Sequence, residues 1–263
     1  MLYNLVAAVI NREIMKKKFW KIFIAIIVVF GVYLCSSYTY IYYKIGAIGL
    51  KSPDNQQTYM TVNNASSTKK IIYASLGDSL TAGVGTTNYE ESYPYLLAKS
   101  LTSGQQQVVL KNFSVPGFRT SDLIASLLAP AIAAKPDIIT LLIGVNDVHG
   151  SVLANTFRKN YEYILRELTA KTQAQIYVIN IPSIGADTLM LPPYDYYYNQ
   201  RTKEFNEIIR NLAQSYKVKY IDLYSPTVRL LKEDGPHYAA DLFHPSASGY
   251  ALWAKIIYDD INQ

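Results

Sequence analysis

The chain has 263 residues, half of them hydrophobic, enough for one sizeable domain with an apolar core plus an appendage. Its net charge of +5 owes much to Arg12, Lys16, Lys17, Lys18 and Lys21, a cluster that borders an apolar run, so no nucleic-acid partner is expected. Cys35 is the only cysteine, which excludes an intramolecular disulfide and leaves stability to packing.

In chain order, residues 1–21 read as a cytoplasmic N-terminus. Met15 followed by three lysines resembles a translation start, making 1–14 a candidate upstream extension. Residues 22–43 carry no charge, and as a helix they would span roughly 33 Å, close to the thickness of the bilayer hydrocarbon. They predict a transmembrane anchor. The lysines on its N-terminal side orient it so that everything after it is extracytoplasmic, with Tyr38, Tyr40, Tyr42 and Tyr43 at the outer interface. The alternative is a secreted protein released by signal-peptide cleavage near Cys35, Ser36 and Ser37, although no A-x-A site stands there. Residues 44–70 are mostly polar, lack periodicity and read as a tether.

Residues 71–263 alternate between two patterns. Apolar, β-rich runs predict strands at 71–76, 108–115, 137–143, 175–181 and 218–223, and amphipathic segments predict helices at 93–101, 121–128, 152–171, 199–216 and 246–261. This alternation implies a central parallel sheet of about five strands with helices on both faces. Sites in such sheets lie beyond the C-terminal strand edges, where the polar motifs of this chain also fall.

Four of those motifs carry chemistry. Ser79 follows the first strand, Gly117 the second and Asn146 the third, while Asp241 and His244 precede the last helix. A serine hydroxyl needs a base to become a nucleophile, and imidazole is the side chain that titrates near neutral pH. Asp241, three residues before His244, is placed to orient that ring, or a backbone carbonyl shares the task. The backbone N–H groups of Ser79 and Gly117 and the amide of Asn146 supply donors for a developing oxyanion. Each motif alone has a plainer reading as a turn, a helix cap or a loop; their joint occurrence at successive strand ends favours a catalytic site.

With GDSLTAGVG, NFSVPGFRTSDL, LLIGVND and DLFHPSASGYALWA in order, the chain resembles the SGNH hydrolases, or GDSL esterases and lipases, over roughly residues 71–258. The resemblance implies a flavodoxin-like three-layer α/β/α sandwich, no metal and no cofactor. It also implies a Ser79–His244–Asp241 triad with an oxyanion hole of Ser79, Gly117 and Asn146. Ser246 stands where many relatives have asparagine, which touches the start of the last helix and no catalytic role. The expected activity is ester hydrolysis through an acyl-enzyme outside the cytoplasmic membrane. The alternatives are an O-acetyl esterase acting on glycans and a non-catalytic scaffold on the same fold.

Other residues receive secondary readings. Tyr194, Tyr196, Tyr197 and Tyr198, in a stretch read as a loop after the fourth strand, are candidate substrate-wall residues. His237 is near enough in sequence to rival His244 as base but lacks an aspartate at the favourable spacing, and His149 is read as solvated, with lining the pocket as the alternative; neither belongs to a ligand cluster of recognisable spacing. Asp78 and Asp147 are read as braces for their loops. The expected partners are an ester substrate and, through the anchor, a membrane.

Overall fold

A computed structural model describes residues 2–47, 51–53, 59–62, 70–102, 107–183, 185–186, 188–230 and 237–262. The chain divides into two units, one ending at Tyr43 and one beginning at Lys44. The first is a single helix, α1 (Leu2–Tyr42), followed by a π-helical turn at Tyr43–Ala47. It joins the segments read as cytoplasmic and membrane-spanning without a break. The helical stretch Asn11–Gly46, most of it in α1, is long and apolar enough to cross a membrane.

The second unit is built on a sheet that has six strands among the described residues. In chain order they are β1 (Tyr59–Val62), β2 (Lys70–Gly77), β3 (Gln107–Ser114), β4 (Ile138–Leu142), β5 (Gln175–Ile179) and β6 (Lys219–Ile221), and they lie side by side as β1-β3-β2-β4-β5-β6. The five expected strands pair in parallel, with Ile72 opposite Val109 and Leu76 opposite Leu141. Their apolar runs are buried on both faces, as a helix-covered parallel sheet requires. The sixth, β1, comes from the stretch read as a tether and pairs antiparallel with β3, Tyr59 opposite Lys111. A short edge strand of Tyr-Met-Thr-Val is too brief to show a period of two against polar surroundings. Residues 48–50, 54–58 and 63–69 of that stretch lie outside the described residues.

Crossovers between parallel strands are right-handed, so the direction of each step fixes the face its helix covers. The step from β2 to β3 runs one way and puts α3 (Tyr93–Leu101) on one face. The later steps run the other way and put α4 (Thr120–Ser126), α5 (Leu128–Ala133), α7 (Ala154–Lys171) and α8 (Tyr194–Ser215) on the opposite face. After α9 (Tyr224–Leu230), the last helix, α10 (Ala247–Ile261), packs against α3, while α7 packs against α8. Two short helices follow strands directly: α2 (Ser79–Ala82) after β2 and α6 (Val145–His149) after β4. The strand order reverses beside β2, so the carboxyl ends of β2 and β4 flank the switch point where sheets of this kind open a crevice.

Candidate active site

Ser79 is the first residue of α2, buried to 6% exposure and set in place by Asp78, whose Oδ1 caps the helix by accepting from the Leu80 N–H at 3.0 Å. His244 comes from the far end of the sequence, and its Nε2 lies 2.9 Å from Ser79 Oγ. Its Nδ1 lies 2.5 Å from Oδ2 of the fully buried Asp241. An ionised carboxylate only accepts, so Nδ1 carries the proton and Nε2 is left as the acceptor for the serine hydroxyl.

Asp241 has a second task. Its Oδ1 accepts from the backbone N–H groups of Phe243 and His244, both at 3.0 Å, which closes the turn around Leu242 at φ +60°. Burial pushes the Asp241 carboxyl up, but the His244 ring and these two N–H groups outweigh it and hold the carboxyl below its usual range. The carboxylate is therefore charged at neutral pH.

The loop after β3, tied to the end of β2 by Val115 N–H donating to Gly77 O at 3.4 Å, carries Gly117. Phe118 N–H donates to Val115 O at 3.2 Å, with Pro116 and Gly117 (φ +84°) between them. Proline then glycine at positive φ is the pattern of a type II turn, and a side chain at 117 would strain it. Gly117 is exposed to open space. Asn146, on the first turn of α6, donates one amide N–H to Phe118 O at 3.0 Å, which ties the loop after β4 to the Gly117 turn and leaves the other amide hydrogen.

The two aspartates expected as braces differ. Asp147 accepts from the Thr120 N–H at 2.9 Å and the Thr120 hydroxyl at 2.6 Å, fixing the start of α4, although burial still leaves its carboxyl above the usual range. Asp78 Oδ2 is enclosed without a partner among the described residues. Burial pushes the Asp78 carboxyl up to about 7, against the pull of the Leu80 N–H.

The tyrosine stretch is a helix rather than a loop. α8 starts at Tyr194 rather than at 199, so the four tyrosines lie on its first turns. Tyr194 and Tyr198, one turn apart, are half-buried, while Tyr196 and Tyr197 are 68% and 45% exposed. Tyr198 therefore faces inward, its ring 4.5 Å from His149. His149 in turn meets Phe243 at 5.3 Å, and Phe243 meets His244 at 4.9 Å. The expectation of a solvated His149 is corrected: its Nε2 is enclosed without a partner among the described residues, and burial pulls its pKa down to about 4. It stays neutral at pH 7, and its enclosure against Tyr198 and Phe243 is nearer to the alternative reading as a pocket-lining residue. His237 is not brought to Ser79; its carbonyl accepts from Ser246 N–H at 3.0 Å, and the residue lines a small cavity with Thr227, Pro245 and Trp253.

A family model described as GDSL-like Lipase/Acylhydrolase matches residues 75–252. Among curated proteins, the chain is 26% identical to the spore germination lipase LipC of Bacillus licheniformis, over 70% of this chain and 92% of that one. It is 26% identical to an acetylxylan esterase of Geobacillus stearothermophilus, over 57% of this chain and 70% of that one. Among solved structures, a lipase/acylhydrolase from Enterococcus faecalis shares the fold, with a TM-score of 0.60 at 23% identity over 73% of this chain and 95% of that one.

Proposed function

This chain belongs to the GDSL-like lipase/acylhydrolase family and is a carboxylic ester hydrolase, and we propose that it works through a Ser79–His244–Asp241 triad and an acyl-enzyme. The observation that carries this reading is the pair of hydrogen bonds from Ser79 Oγ to His244 Nε2 and from His244 Nδ1 to Asp241 Oδ2. Ser79 Oγ attacks the ester carbonyl carbon as its proton passes to His244 Nε2, giving a tetrahedral oxyanion beside an imidazolium that Asp241 stabilises. The N–H groups of Ser79 and Gly117 and the free amide hydrogen of Asn146 receive the negative oxygen, and they act in the transition state because the charge appears only there. His244 then returns the proton to the leaving alkoxide oxygen, the ester C–O bond breaks, and the acyl group stays on Ser79. Water, deprotonated by the same imidazole, releases the acid.

A fluorophosphonate reports on this sequence because it stops at the first covalent step. Incubation followed by peptide mass mapping is expected to find one adduct, on the peptide that contains Ser79. Turnover of an ester by a protein whose adduct lies elsewhere would reject Ser79 as nucleophile.

Substrates outside the cytoplasm follow from α1, which we read as a retained anchor. Lysophospholipids, short-chain acyl esters and O-acetyl groups on glycans are then within reach, and the likeness to an acetylxylan esterase favours the last as the second reading. Protease added to spheroplasts is expected to degrade the catalytic unit and leave a small membrane-bound fragment. Recovery of a mature N-terminus near Ser36 from the medium would replace the anchor with a cleaved signal peptide.

A further inference from the structure

Arg119 stands two residues beyond Gly117, on backbone that is fixed from both sides. Its own N–H donates to Asp122 Oδ2 at 2.9 Å, and the next residue, Thr120, is held by Asp147. The side chain reaches across Gly150. A Cβ built on Gly150 would lie 2.5, 2.6 and 2.7 Å from Nη2, Cζ and Nε of Arg119. Three near-equal distances mean that the guanidinium plane lies face-on against the Gly150 Cα. Gly150 has φ −77°, a conformation open to any residue, so what its lack of a side chain provides here is space.

Gly150 caps the helix that begins beside Asn146, and its N–H donates to Asn146 O at 2.9 Å. One helical turn, about 6 Å along the axis, therefore separates the guanidinium's platform from the residue proposed as oxyanion donor. The platform covers one face of the guanidinium and leaves its edge open. Arg119 is exposed, and no carboxylate lies within ion-pair distance of it among the described residues. Of the acids nearest in sequence, Asp122 accepts from the Arg119 N–H, and Asp147 is engaged by Thr120 and feels the Arg119 charge, which pulls its carboxyl down, without forming an ion pair with it. Arg201 donates from Nη2 to Val152 O at 2.5 Å and lies over Phe205, while its Nε is enclosed without a partner among the described residues.

A flat guanidinium held by one face with its donor edge free matches the oxygens of a carboxylate or a phosphate, which it binds through paired N–H donors. We propose that Arg119 is a specificity-determining residue that binds an oxyanionic group, carboxylate or phosphate, carried by the ester substrate a short span from its carbonyl. The inference rests on the ester-hydrolase reading given above and adds the chemistry of the substrate's far end.

Two matched pairs of esters test it on the full chain in detergent micelles. p-Nitrophenyl butyrate against the p-nitrophenyl monoester of glutaric acid places the charge on the acyl side; monobutyrylglycerol against its phosphate places it on the alcohol side. Wild type is expected to prefer the charged member of one pair, and which pair identifies the side that Arg119 faces. Arg119→Gln is expected to lower that preference in kcat/KM about tenfold, the scale of one charge-assisted hydrogen bond, with the change carried by KM. Gly150→Ala keeps the charge but displaces the guanidinium, and is expected to lower the same preference. Equal losses on charged and neutral esters, or a preference that survives Arg119→Gln, would overturn the assignment. Turnover of the neutral esters without any preference for charge overturns this inference alone; no turnover of any of the four overturns it together with the ester-hydrolase mechanism.

Discussion

Ser79→Ala is expected to lower kcat on p-nitrophenyl butyrate by about 10⁶-fold, to the level set by binding and oxyanion donors alone. The substitution removes the attacking oxygen and the only side-chain hydrogen bond that Ser79 makes among the described residues, the one to His244 Nε2. It should leave the fold intact. Ser79 begins a helix whose cap comes from Asp78, and alanine favours a helix more than serine does. His244→Ala is expected to cost about as much, because the serine without its base is as inert as the base without its serine. The double variant should be no slower than either single one, the non-additivity that marks residues acting as one unit. Steady-state kinetics beside circular dichroism decide the matter. An Ser79→Ala protein within about tenfold of wild type, with its fold intact, would mean that another residue attacks the ester.

The hydrogen-bonded group proposed as a triad was legible in part because part of it is local. Asp241 and His244 are joined by one turn, so a spacing of three residues carries real geometric content, and the structure has the carboxylate rather than a backbone carbonyl holding the ring. The contact between His244 and Ser79 is not local; the shared edge at which the motifs fall and the resemblance carried by their order pointed to it. The parallel strands were readable because burial on both faces makes them continuous apolar runs. Strand β1 was not, since four residues at an edge need no such run.

The start of α8 was missed for a different reason. Its inward stripe begins with Tyr194 and Tyr198 and continues through Thr202 and Phe205, but tyrosine is at home in a wall, a loop or a core, so the period of the stripe was hidden at its first turn. Tertiary hydrogen bonds left no trace at all. Nothing in the spacing of Asn146 and Phe118, or of Asp147 and Thr120, says that these pairs meet, and those bonds are what tie the loop after β4 to the Gly117 turn and to the start of α4. Enclosure is equally silent. His149 and Asp78 look like polar loop residues in the sequence, whereas burial keeps the first neutral and raises the second to about 7.

Asp241→Asn is expected to lower kcat about 10⁴-fold while leaving KM and the melting temperature close to wild type. The asparagine Oδ1 can still accept from the N–H groups of Phe243 and His244, so the turn that carries Leu242 at φ +60° keeps its brace. What changes is the atom facing the imidazole. An amide N–H pointed at His244 Nδ1 requires that nitrogen to accept, which moves the ring proton to Nε2. A protonated Nε2 donates to Ser79 Oγ instead of accepting from it, and the base is lost although every heavy atom stays in place. Asp241→Ala separates the two tasks of the residue. It removes the ring's partner and the turn's brace together, so its melting temperature is expected to fall along with its rate, because the strained turn no longer has the bonds that offset its cost. If Asp241→Asn retained activity within about tenfold of wild type, the imidazole would have to take its tautomer from some other group, and Asp241 would be a brace for the turn alone.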